Sequence, residues 1–212
     1  CGNGLLHGEE CLCMKCLLNL PRTDYHEMEN NKTSELFAGR FPFENATSFF
    51  YYRKGSAYTN IVHALKYQGK EEIGVFMGRM FAEELLKSSN YRNIDVIFPI
   101  PLHKDRYKER GYNQSMCIAK GMSEILNIPV DSDSIIRTKY TKTQTRKDKV
   151  HRFENVEHIF KVIKPDVLIG KHVLIVDDVV TTGATIESLA SELIRAGNVS
   201  ISIASLAIAS NN

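Results

Sequence analysis

Two adjacent carboxylates, Asp177 and Asp178, stand just ahead of a run of small, hydroxyl-rich residues, Thr181-Thr-Gly-Ala-Thr185. A loop of such residues lets backbone N–H groups close around phosphate oxygens; threonine hydroxyls add donors, and the start of a following helix favours negative charge. Carboxylates beside a phosphate repel it, so the pair suits other partners: the hydroxyls of a ribose, or a hydrated Mg²⁺ ion. The stretch from Asp177 through Val179 to Thr185 therefore reads as a site for a sugar phosphate, acids on the sugar and loop on the phosphate. The plainer alternative is a strand-to-helix turn in which Asp and Thr serve only as caps.

Three further groups carry chemistry. Lys104, Arg106 and Arg110 follow Pro101 and Leu102, and arginine binds phosphate with a planar fork of donors. Between Arg137 and Arg152 lie Lys139, Lys142, Arg146, Lys147 and Lys149 with one acid, Asp148. Such a run suits the backbone of single-stranded DNA, which lysine and arginine bind without reading sequence, although few aromatics interleave for stacking. For both basic groups a solvated surface is the alternative. Finally, Cys1, Cys11, Cys13 and Cys16 cluster at the start of the chain, two of them as Cys13-Met-Lys-Cys16. Thiolates so spaced build tetrahedral Zn²⁺ sites, with free thiols or a disulfide as alternatives. Cys1 reads as half of a pair that begins upstream, so the sequence is expected to start inside a longer chain that completes a structural Zn²⁺ site; Cys11 or His7 offers a further ligand. No general base is singled out; His103 and His151 are the histidines near these segments.

The elements that must position these groups follow from apolar patterning. Val173 to Val176 is a continuous apolar run suited to a buried parallel strand that ends at the acids. Ile186, Leu189, Ala190, Leu193 and Ile194 then recur at helical spacing, with Gly197 at the C-cap. Ile94 to Pro101 predicts another strand, whose prolines end it at a loop from Pro101 to Arg106. In parallel α/β sheets ligands bind beyond the C-terminal strand ends, so that loop is expected to face the same crevice as the acids. Phe49 to Tyr52, His158 to Ile163 and Val199 to Ile208 predict further strands. Tyr58, Ile61, Val62 and Leu65 mark one helix, Ile73 to Leu85 a longer one, and Ile118, Met122, Ile125 and Leu126 a third. Lys66 and Tyr67, at the end of the first, either pack or reach a ligand. Alternating strands and helices specify a parallel α/β sheet.

At 212 residues the chain is long enough for one α/β domain, expected over 33–212, behind a Cys-rich segment and linker over 1–32. With 27 Lys+Arg against 25 Asp+Glu, bulk charge does not announce nucleic acid or a membrane surface. The apolar runs fall short of a membrane span and no signal peptide opens the sequence, so a cytoplasmic protein is expected, without membrane insertion.

The stretch Val173 to Thr185 resembles the signature of the type I phosphoribosyltransferases, which bind phosphoribosyl pyrophosphate (PRPP) with a hydrophobic strand, two acids and a Thr-Thr-Gly-x-Thr loop. Ala184 departs slightly, since many members carry glycine there. Together with Ala64-Leu-Lys-Tyr67, Pro99-Ile-Pro-Leu102 and Arg110-Gly-Tyr-Asn-Gln114, it makes the chain resemble the ComF family nearly end to end. Arg137, Thr143, Gln144, Arg152, Asn155-Val156 and Phe160 match in order a further segment of that family. The resemblance implies a Rossmann-like phosphoribosyltransferase fold with a zinc-ribbon-like knuckle. It also implies that Asp177 and Asp178 serve catalysis by holding the ribose, with Mg²⁺ accompanying PRPP. The Pro101 to Arg106 loop would bind pyrophosphate, with Lys104, Arg106 and Arg110 as counter-charges, and the 137–152 segment would cover the reacting centre. A role in DNA uptake beside a competence helicase is implied too. The alternatives are a DNA-handling module that keeps a PRPP pocket without turnover and, with less support because no base-recognition motif is found, nucleobase salvage.

Overall fold

The computed structural model describes residues 1–139 and 159–210. Gln144, Arg146, Lys147, Lys149, His151 and Arg152 lie outside the described residues. In chain order the elements are α1 (Met14–Leu18), α2 (Lys32–Phe37), β1 (Asn45–Tyr52), α3 (Thr59–Tyr67), α4 (Glu71–Lys87), β2 (Val96–Pro99), α5 (Lys104–Arg110), α6 (Gln114–Leu126), β3 (Ile135–Arg137), β4 (Phe160–Val162), β5 (His172–Val180), α7 (Ala184–Ala196) and β6 (Ser200–Ala209). Four strands form the expected parallel sheet in the order β1-β6-β5-β2. Strand β5 is internal, and its alternation sorts it between two cores. Leu174 and Val176 enter the core built with α3, α4 and α6; Val173 and Ile175 enter the one built with α7.

Three expectations need correction. Strand β5 does not stop at the acids. It continues to Val180, because Asp177, Val179 and Val180 pair with Ser205, Ala207 and Ile208 of the long β6, and backbone pairing is indifferent to the change in side-chain polarity. Second, Lys104 to Arg106 is helical: His103 caps α5 by accepting from the Asp105 N–H at 3.2 Å, and Gly111, at φ 82°, ends it. Third, the expected linker is folded onto the sheet. Thr23 N–H donates to Phe49 O (3.1 Å) and Tyr51 N–H to Pro21 O (2.9 Å), which covers the free edge of β1. The far edge is closed likewise by Pro129 to Asp131 against Ile97 of β2. The described part of the expected 158–163 strand, β4, pairs antiparallel with β3.

Helices α4 and α6 touch backbone to backbone. A Cβ at Gly78 would lie 2.2 Å from Ile118 O, and one at Gly121 2.0 Å from Val75 O. This approach presses the buried Met77, Phe81, Ile118 and Met122 into one layer and fixes where the start of α6 arrives beside β5. Gly121→Ala must separate the helices. It is expected to cost about 1–3 kcal/mol, as overpacking does, or roughly 5 °C in thermal unfolding. An unchanged melting temperature would rule out this backbone contact.

Candidate functional site

At the C-terminal end of β5 the two acids take different partners. Asp178 Oδ2 lies 3.1 Å from Lys66 Nζ, at the end of α3. Asp177 Oδ1 accepts from Ser115 Oγ (3.2 Å) and from the Asp178 N–H (2.9 Å). Loss of water around Asp177, and then the charge of Asp178, push its pKa up to about 7, against the opposing influence of Lys66. Both acids face a cavity of about 250 Å³ whose other walls include Lys66, Arg106, Arg110, Ser115 and Arg137. Arg110 Nη1 donates to Gln114 Oε1 at 2.6 Å, and its guanidinium lies over the Tyr67 ring at 5.8 Å. Asn113 caps α6 by accepting from the Ser115 N–H, while its Nδ2 donates to Ile100 O at 3.0 Å, so the helix start is tied to the end of β2. Burial lowers the pKa of Arg137, with Arg106 acting in the same direction and Asp177 against it.

Thr181, Thr182 and Gly183 form the turn from β5 into α7; Ala184 and Thr185 already belong to the helix. Gly183 is required there twice over. Its φ is 75°, and a Cβ would lie 2.6 Å from Cε1 of Phe37. Arg40 Nη1 donates to Thr182 O (2.8 Å) and pairs with Glu187 Oε2 (3.2 Å), so the α2 region backs the turn from outside. Inside the turn is a small cavity of about 40 Å³, and it shares Asp177, Val179 and Thr185 with the larger one. Acids, arginines and loop thus line two adjoining cavities beside the N-terminus of α7.

Other expected residues fall elsewhere. Pro101 and Leu102 line the acid cavity, but Lys104 lines a neighbouring cavity of about 430 Å³ that shares Pro101, Leu102, Asn113 and Arg137 with it. His103 serves as the α5 cap. Cys1, Cys13 and Cys16 come together with their thiol sulfurs within 4.8 Å of one another, a donor set that fits three positions of a tetrahedral metal site. Cys11 is not among them: its Sγ lies 3.7 Å from Glu72 O against α4, and burial raises its pKa. His7 is also outside the group.

Ser115, Arg40 and Phe37 are site residues that sequence reasoning missed. Ser115 sits where a helix start needs only a cap, and Arg40 and Phe37 are about 140 positions from the loop they support. The undecided Lys66 does reach the site.

Comparison with known proteins agrees with this geometry. The phosphoribosyl transferase domain family matches residues 113–212. The DNA utilization protein YhgH of Escherichia coli O157:H7 is 33% identical over 146 residues, which are 68% of this chain and 63% of that protein. Competence protein F of Haemophilus influenzae is 32% identical over 53% of this chain and 50% of its own length. For competence protein ComFC of Bacillus subtilis the identity is 35% over 48% of this chain and 39% of that protein. The chain therefore spans less than two thirds of the length of these relatives. With the parallel α/β fold and the loop after β5, these matches place the chain in the ComF family of the phosphoribosyltransferase superfamily.

Proposed function

We propose that this chain binds PRPP in the cavity at the end of β5 and transfers its phosphoribosyl group to an acceptor, in the service of DNA uptake. The observation that carries the reading is the convergence of Asp177, Asp178, Arg106, Arg110 and the Thr181 to Thr185 turn on adjoining cavities that share Asp177, Val179 and Thr185. Asp177 and Asp178 accept from the ribose hydroxyls. Thr181, Thr182, Gly183, Ala184 and Thr185 hold the 5′-phosphate at the start of α7, and Arg106 and Arg110 draw charge onto the leaving pyrophosphate beside Pro101 and Leu102. Catalysis is then positioning and electrostatics, with the concavity holding sugar and leaving group in fixed relation. Mg²⁺ suits PRPP as a companion of its pyrophosphate and supplies further charge neutralisation there. Cys1, Cys13 and Cys16 would hold a structural Zn²⁺. The names of the relatives from E. coli, H. influenzae and B. subtilis support a DNA-related role. The same names favour the second reading, a DNA-handling module that keeps the pocket without turnover; pyrophosphate release with bases, amines or DNA as acceptors separates the two.

Calorimetric titration with PRPP and Mg²⁺ is expected to give saturable binding, weakened about tenfold or more by Asp178→Asn, the scale of a lost charge-assisted hydrogen bond. Wild-type protein that takes up no PRPP would end the pocket reading.

The ligand-free protein carries its own signature. Asp177 is held above its unfolded pKa, so the folded state binds the extra proton and that contribution to stability is present near pH 4. It is lost as the pH rises through about 7. Denaturant unfolding is expected to show stability falling across this window by a few kcal/mol, and Asp177→Asn to flatten the slope. Equal slopes in the two proteins would refute the assignment.

For DNA, binding of a single strand is expected to weaken steeply with salt. Replacing Arg146, Lys147 and Lys149 together should lower the log–log salt slope by about 2, the release expected of three phosphate contacts on a single strand. An unchanged slope removes the 137–152 segment from the DNA surface.

A further inference from the structure

Lys66 is delivered to the acids by a firmly anchored turn. Ile61, Val62, Ala64 and Leu65 of α3 are buried in the core against α4, and the hydroxyl of the buried Tyr112 donates to Leu65 O. The backbone of the next residue is therefore held in place, and its ammonium stands 3.1 Å from Asp178 Oδ2. The side chains of the pair are only 22% and 12% exposed, so solvent and salt screen it far less than a surface pair. Asp177, one residue away, is held by Ser115 and by backbone instead. The pair is thus asymmetric. Asp178 has an ammonium within ion-pair distance, whereas a hydroxyl and a backbone N–H bind Asp177. Removing that partner would leave Asp178 charged, enclosed and free to turn, which is costly in such a setting.

We infer that Lys66 is a positioning residue of the ribose subsite, holding the Asp178 carboxylate aimed for a sugar hydroxyl and leaving charge neutralisation of the pyrophosphate to Arg106 and Arg110. The inference rests on the reading in which Asp178 takes the ribose. It assigns a task to a residue that lies outside the 113–212 domain match and carries no reacting atom.

The test titrates wild type, Lys66→Met and Lys66→Gln with three probes: PRPP with Mg²⁺, ribose 5-phosphate, and pyrophosphate with Mg²⁺. Both substitutions are expected to weaken PRPP and ribose 5-phosphate by the same factor, about tenfold or more, the scale of coupling between contacting charges. Pyrophosphate affinity is expected to stay at the wild-type value. Lys66→Met combined with Asp178→Asn should bind no more weakly than Asp178→Asn alone, because the lysine acts through that carboxylate. Loss of pyrophosphate binding equal to the loss of PRPP binding, with ribose 5-phosphate binding kept, would make Lys66 an anion counter-charge and overturn the inference, as would wild-type affinities in both variants. Failure of wild type to bind ribose 5-phosphate or PRPP would instead bring down the ribose subsite itself. The paired variants separate a folding defect from the proposed role, since a misfolded protein loses all three probes together while the pyrophosphate site reports an intact fold.

Discussion

Two neighbouring carboxylates near the C-terminal end of an internal strand are the constraint on which the rest of the structure depends. Asp177 does not ionise cheaply there, because loss of water penalises its charge and Asp178 opposes it. The fold answers with separate compensations: an ammonium from α3 for Asp178, and a hydroxyl from α6 plus a backbone N–H for Asp177. Each compensating group comes from a different element, so β5, α3 and α6 must be placed together for any of them to work.

That mutual placement has a packing cause. The direct contact of α4 with α6 at Gly78 and Gly121 lets the α6 start reach the end of β2, where Asn113 binds Ile100 O and Ser115 meets Asp177. On the other face, Phe37 fills the space that a side chain at position 183 would need, and Arg40 fastens the outer carbonyl of the same turn. The site is therefore clamped from both faces of the sheet, by glycine contacts that tolerate no larger residue.

Sequence reading recovered what is local. The apolar run of β5, the acids, the small turn and the period of α7 lie within 25 consecutive residues, and the same is true of the amphipathic stripes of α3, α4 and α6. It failed where the physics is not local. The end of β5 is set by the length of β6 and not by polarity, so the strand outruns its apolar run. Two prolines signalled a loop, yet a histidine cap and a left-handed glycine enclose a seven-residue helix immediately beyond them. Cys11 has the spacing of a ligand but packs against α4. Lys66, Ser115 and Arg40 acquire their meaning only when the chain brings them to β5 from 142 to 62 positions away, and no pattern within one element could announce that.

Arg137 links the acid cavity to the β3–β4 pair. It ends β3, whose pairing with β4 is continued by the Thr138 N–H donating to Ile159 O at 2.8 Å, so the two boundaries of the segment 140–158 are held side by side. Its guanidinium rests on the Phe160 ring at 5.5 Å while the residue lines both the acid cavity and its larger neighbour. Burial and Arg106 both work against its charge, and Asp177 works for it. An anion entering between Arg106 and Arg137 would add to the relief that Asp177 already gives and ease their mutual repulsion.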